Sequence, residues 1–84
     1  MNEAQVREIL QTALDQVAPG VELGAAGADD DLRRVLDLDS LDFLNLIVAV
    51  DARLGLHTRE EDYPRLSTLR GCVGYLTAAS TTAR

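Results

Sequence analysis

Residues 38–55 read LDSLDFLNLIVAVDARLG, and this stretch decides the fold. From Ser40 to Leu54 it holds neither proline nor glycine, and Gly55 follows as a stop, so it predicts a helix over 40–54. Wound at ~100° per residue, its residues separate into two stripes. Phe43, Leu46, Ile47, Val50 and Leu54 share one face. Leu41, Leu44, Asn45, Val48 and Ala52 share another, displaced by two residues and so ~200° away. A chain of 84 residues is one small domain with a modest core, which does not easily bury both faces of one helix. One stripe is core. The other stays exposed, as partner-binding stripes do, unless the long segment before Ser40 folds over it.

Upstream, Val6, Ile9, Leu10, Ala13, Leu14 and Val17 recur at helical spacing, and Asn2 with Gln5 forms a capping-box pattern. Pro19-Gly20 stops this helix. Pro19 to Asp39 is then a connection of a length uncommon in compact domains and often functional. Val21, Leu23, Leu32, Val35, Leu36 and Leu38 give it apolar pins. Within it, Asp29-Asp30-Asp31 before Leu32-Arg33-Arg34 reads as a solvated loop capping a short helical turn. A calcium loop would need alternating ligands and a later Glu, which are missing.

Downstream, Thr58 with Glu61 is a second capping-box pattern. Glu60-Glu61-Asp62-Tyr63 predicts a short helix that Pro64 stops, because residues before proline avoid the α region. Leu69, Cys72, Val73 and Leu76 mark a last helix, weakened by Gly71 and Gly74, which allow close packing. The small polar tail from Thr77 to Arg84 is expected to fray. The expected organisation is a single all-α domain over 1–84: a four-helix bundle with helix 2–18, long loop 19–39, helix 40–54, short helix 59–63 and helix 67–79. Its core should gather Ile9, Leu10, Phe43, Ile47, Val50, Leu69 and Val73.

A hydrophobic fraction of 46% with 26% charged residues is ordinary for a globular chain. The net charge is −6, and all 8 basic residues are Arg. An acidic chain without a basic stripe is a poor nucleic-acid binder and favours basic protein partners. No apolar run approaches the ~18 residues of a membrane span, and Met1-Asn2-Glu3 has no export-signal character, so the expected location is the cytoplasm. The lone Cys72 falls on a buried stripe as a small hydrophobe, and a thiolate zinc site is excluded by count. His57 reads as a loop residue with no nucleophile or ligand set beside it. No constellation of convergent titratable groups marks an enzyme.

The long loop delivers Asp39-Ser40-Leu41-Asp42 to a helix N-terminus, where Ser40 is an N-cap or first-turn serine. A phosphate esterified to that hydroxyl would sit over free N–H groups and the positive end of the helix dipole. Asp39-Ser40-Leu41, after a long loop and before an apolar helix, resembles the attachment motif of acyl carrier proteins. The resemblance runs from Asn2 to Leu76. It takes in the first helix, the loop, the Leu54-Gly55 close, the acidic third segment and the Leu66-Ser67-Thr68-Leu69 opening of the last helix.

The resemblance implies 4′-phosphopantetheine covalently held on Ser40, placed there from coenzyme A by a phosphopantetheinyl transferase. The arm's thiol would carry an acyl group for partner enzymes, with no metal and no catalytic residue in the chain itself. Asp39 and Leu41 would meet the transferase. Leu41, Leu44 and Val48 would dock partners, and Asp42 would face their basic residues. Those partners would be an acyl- or aminoacyl-loading ligase and downstream synthases or transferases, meeting a monomer.

Some features depart from the fatty-acid-synthesis members. Val35-Leu36-Asp37-Leu38 stands where a small residue, commonly Gly, is frequent. The helix 40–54 has only Asp42, Asp51 and Arg53, with Asn45 where those members tend to have Glu. Phe43 is bulky for a domain hiding a long acyl chain, and Asp62-Tyr63-Pro64-Arg65-Leu66 is untypical. These features point to a specialised pathway and a short or aminoacyl cargo. A peptidyl carrier usually has Gly-Gly, and often His, before the serine, which this chain lacks. The reading from another class is an unmodified helical adaptor, which shares the exposed stripe but does not depend on Ser40.

Overall fold

The computed structural model describes residues 1–82 as an all-α bundle. The α-helices are α1 (Glu3–Val17), α2 (Leu32–Val35), α3 (Ser40–Leu54) and α4 (Leu69–Thr82). Two 3-10 segments, Leu23–Ala25 and Glu60–Leu66, complete it. Helix α1 packs against both α3 and α4, and α4 packs against the segment Glu60–Leu66. The described residues contain no strand, only an isolated antiparallel bridge between Asp31 and Thr68.

The Asn2 capping box forms as its pattern predicts: Gln5 N–H donates to Asn2 Oδ1 and Asn2 N–H donates to Gln5 Oε1, both at 2.9 Å. The buried stripe of α1 is Val6, Leu10, Ala13 and Leu14. Ile9, expected in the core, is only half-buried, because the stripe is centred on the Val6–Leu10–Ala13 edge. The other six expected core residues are buried.

The stretch after Pro19 is an ordered layer. Leu23, Ala26, Leu32, Leu36 and Leu38 are all buried, and Val21 and Val35 pack against the same core. Backbone bonds lash it to the start of α4: Leu32 N–H donates to Ser67 O at 2.8 Å, and Arg70 N–H donates to Ala28 O at 2.7 Å. The three aspartates do separate work. Asp29 pairs with Arg70 at 2.9 Å, and that hydrogen bond holds its carboxyl below the ordinary range. Asp30 accepts from Gly27 N–H at 2.7 Å, and Asp31 caps α2.

Downstream of α3 the structure departs from the sequence reading, and α4 starts at Leu69 where 67 was expected. Thr58 caps nothing: its N–H and hydroxyl donate to the Asp51 carboxylate at 2.9 and 2.7 Å, so a tertiary partner displaces the local Glu61 pattern. The short segment is 3-10 over Glu60–Leu66 and runs through Pro64. Its tighter turns accept a proline φ, and Ser67 N–H and Oγ both close on Pro64 O. Helix α4 extends to Thr82, beyond the expected 67–79, with Ser80 and Thr81 hydroxyls bonded back to Thr77 O. The rest of the expected frayed tail, Ala83 and Arg84, lies outside the described residues.

The two glycines of α4 differ in kind. A Cβ on Gly71 would collide with the backbone carbonyl oxygen of Arg65 and lie 3.0 Å from Thr68 Oγ1, whereas one on Gly74 would meet nothing within 4 Å. Gly71→Ala is therefore expected to cost about 1–3 kcal/mol. Gly74→Ala should stabilise by roughly 0.5–1 kcal/mol. Urea unfolding of the two variants should move the midpoint in opposite directions.

Candidate functional site

Helix α2 ends in a tight reversal that aims the chain at α3. Leu38 N–H donates to Arg33 O at 2.8 Å, and Asp37 takes the left-handed position between them at φ 54°. This is the Schellman arrangement, in which glycine is the usual residue. Asp37 thus fills a turn position that favours glycine. Leu36 and Leu38 are buried on either side of it. The two leucines anchor the approach, and the next two residues, Asp39 and Ser40, emerge into solvent.

The cap of α3 belongs to Asp39. Its Oδ1 accepts from Asp42 N–H at 2.7 Å, and Asp42 Oδ2 accepts from Asp39 N–H at 3.3 Å. Ser40 is therefore the first helical residue and not the cap. Its hydroxyl is exposed and makes no hydrogen bond within the described residues. The N–H groups of Ser40 and Leu41 also lie free at the positive end of a 15-residue helix.

Beside Ser40 opens a groove of about 540 Å³ between α2, α3 and the segment Glu60–Leu66, lined in part by Arg33, Phe43, Leu44, Tyr63 and Ser67. Nothing in the sequence pattern marked Tyr63 or Ser67 for this place. Arg33 carried a signal, a cation seven positions ahead of Ser40 amid Asp37, Asp39 and Asp42.

Behind Phe43 the interior is closed. The space bounded by Phe43, Leu46, Ile47, Val50, Leu66 and Leu76 is about 10 Å³. Leu41, Leu44 and Val48 are 62%, 40% and 57% exposed, against 9% for Phe43 and 5% for Ile47. The long loop covers the core side of the bundle and leaves this stripe bare. Asn45 and Ala52 on the same face are exposed too.

Against known proteins, a family model described as a phosphopantetheine attachment site matches residues 4–76. The chain belongs to that family. It is also similar to acyl carrier protein 2 of Pseudomonas aeruginosa, at 29% identity over 77 residues, covering 92% of this chain and 91% of that protein. The chain is thus a carrier protein of acyl-carrier type, and the family's cofactor is covalently attached 4′-phosphopantetheine.

The residues present fit such a group. The chain offers an unengaged hydroxyl, two free N–H donors beside it, and a groove within the ~300–1,000 Å³ range of small-molecule clefts. When bound, the group supplies the thiol for thioester chemistry. Among the described residues no helix is long and apolar enough to cross a membrane, and no three His, Cys, Asp or Glu side chains gather as a metal set.

Cys72 is set apart from any such chemistry. It is 3% exposed, and burial pushes its thiol up to about 12. At pH 8 the thiolate fraction is then about one in ten thousand. The native chain is expected to show no titratable thiol with a disulfide reagent over minutes, and one after unfolding in guanidinium.

Proposed function

We propose that this carrier bears 4′-phosphopantetheine on Ser40 and presents a short acyl or aminoacyl thioester to the enzymes of a specialised pathway. The observation that carries the assignment is the division of labour at the start of α3. Asp39 and Asp42 cap the helix, so the Ser40 hydroxyl stands exposed and unengaged. The closed interior behind Phe43 favours cargo that is short or remains outside the bundle. The test is incubation with coenzyme A, magnesium and a broad-specificity phosphopantetheinyl transferase, read by intact mass as a single addition mapped to Ser40.

Docking falls to the exposed stripe. Leu41, Leu44 and Val48 supply apolar area next to the attachment point, and Asp39, its Oδ1 tied into the cap, flanks it with Leu41 where the transferase would meet the chain. Asp42 is half-buried with one carboxylate oxygen tied into the cap, so only part of its acceptor capacity faces a partner. Besides the transferase, the partners are a loading ligase and downstream synthases or transferases, met by a cytoplasmic monomer.

Val48→Glu is expected to weaken transferase binding at least tenfold, because it places a charge in a desolvated contact. Stability should change by less than ~0.5 kcal/mol at so exposed a position. Titration calorimetry beside a urea melt separates the two. Unfolding of this variant would make the stripe structural and remove the docking surface.

A further inference from the structure

On the reading that the arm is attached at Ser40, we infer that Arg33 is a positioning residue whose guanidinium holds the arm's phosphodiester and lays the arm into the groove leading to Tyr63. Ser40 sits in an acidic neighbourhood. Asp39 precedes it, Asp42 follows it, and Asp37 turns the chain toward it. The groove beside it adds Asp31 and Glu60. A phosphodiester introduced there meets like charge on several sides, and the free N–H groups of the helix are partial charges only. Arg33 is the cation among the residues lining the groove.

Arg33 is also unspent. Its side chain makes no ion pair or hydrogen bond within the described residues, whereas Arg59, Arg65 and Arg70 are paired with Glu61, Asp62 and Asp29. Its backbone is held in place, because its carbonyl oxygen accepts the Leu38 N–H that forms the turn before Ser40. A planar guanidinium can take two phosphate oxygens at once, which fixes direction as well as distance. Arg34, its neighbour on α2, does not line the groove and serves as the control.

The experiment is a cycle of melting temperatures on fully converted and unconverted protein, for the wild type, Arg33→Gln, Arg33→Lys and Arg34→Gln. The change in melting temperature on attaching the arm is expected to be more favourable in the wild type than in Arg33→Gln by about 2–5 °C. Arg34→Gln should behave as the wild type, and Arg33→Lys should recover part of the difference. In ~1 M salt, where the screening length falls to ~3 Å, the difference should shrink. The phosphorus NMR line of the arm should be narrower in Arg33→Gln, reporting a freer phosphodiester. Equal shifts and equal line widths in the wild type and Arg33→Gln would overturn the inference while leaving the Ser40 reading standing. A folded wild-type chain that takes up no arm would overturn both.

Discussion

Ser40→Ala is expected to take up no phosphopantetheine under conditions in which the wild type takes up one group, and to melt within a degree or two of it. Both halves follow from the start of α3. The hydroxyl is the nucleophile that would form the phosphoester, and alanine has none. The helix loses nothing in exchange. A capping serine replaced by alanine costs ~1 kcal/mol, but here Asp39 and Asp42 carry the cap and Ser40 is the first helical residue, where alanine is a good helix former. Cys72→Ser should still be modified, which separates an oxygen ester from a disulfide adduct on the lone thiol. A folded wild-type chain that several transferases leave unmodified would reject the arm and favour the unmodified adaptor.

Phe43→Ala is the second large effect, an expected loss of about 3–5 kcal/mol. Phe43 is 9% exposed and faces Leu46, Ile47, Val50, Leu66 and Leu76 around a space of about 10 Å³, too small to absorb the deletion by collapse. A domain of this length holds roughly 4–13 kcal/mol in total, at ~0.05–0.15 kcal/mol per residue. The loss is therefore between about a quarter and all of the total, and the urea midpoint should fall accordingly. The same ring lines the groove at Ser40, so it is the wall between that groove and the core. Phe43→Leu, which keeps most of the volume, should lose far less. A loss below ~1 kcal/mol for Phe43→Ala in urea would mean that this face of α3 is not the core.

Legibility in the sequence followed how local the governing interactions are. The span of α3, the Gly55 stop and the Asn2–Gln5 box need only neighbouring residues, and the pattern contains them. Thr58 misled because its partner, Asp51, lies seven residues back on α3. Asp37 gave no sign of a left-handed turn, since its own type does not demand one and the Leu38–Arg33 bond that imposes it is not written in either residue. Periodicity separated the two stripes of α3, and the core was expected on the side of Phe43 and Ile47, where it lies. That side is settled by packing, with Val6, Leu10 and Leu14 buried in the same core as Phe43 and Ile47. At the candidate site, the place of Ser40 at the helix start was legible and its release from capping was not, because cap and serine are adjacent and either could have taken the role.

The burial of Cys72 bears on how long a loaded cargo survives. A thioester is an acylating agent, and within one molecule it is at risk from any thiolate or amine that the arm can reach. Cys72 lies inside the bundle with its thiol held protonated. All 8 basic residues are Arg, so no lysine amine is present to take the acyl group. A chain that carries its cargo as a thioester thus offers it no cysteine or lysine onto which to migrate. His57 is the one histidine in the sequence. Burial of the thiol and the absence of lysine thus remove two routes by which a thioester could acylate its own carrier.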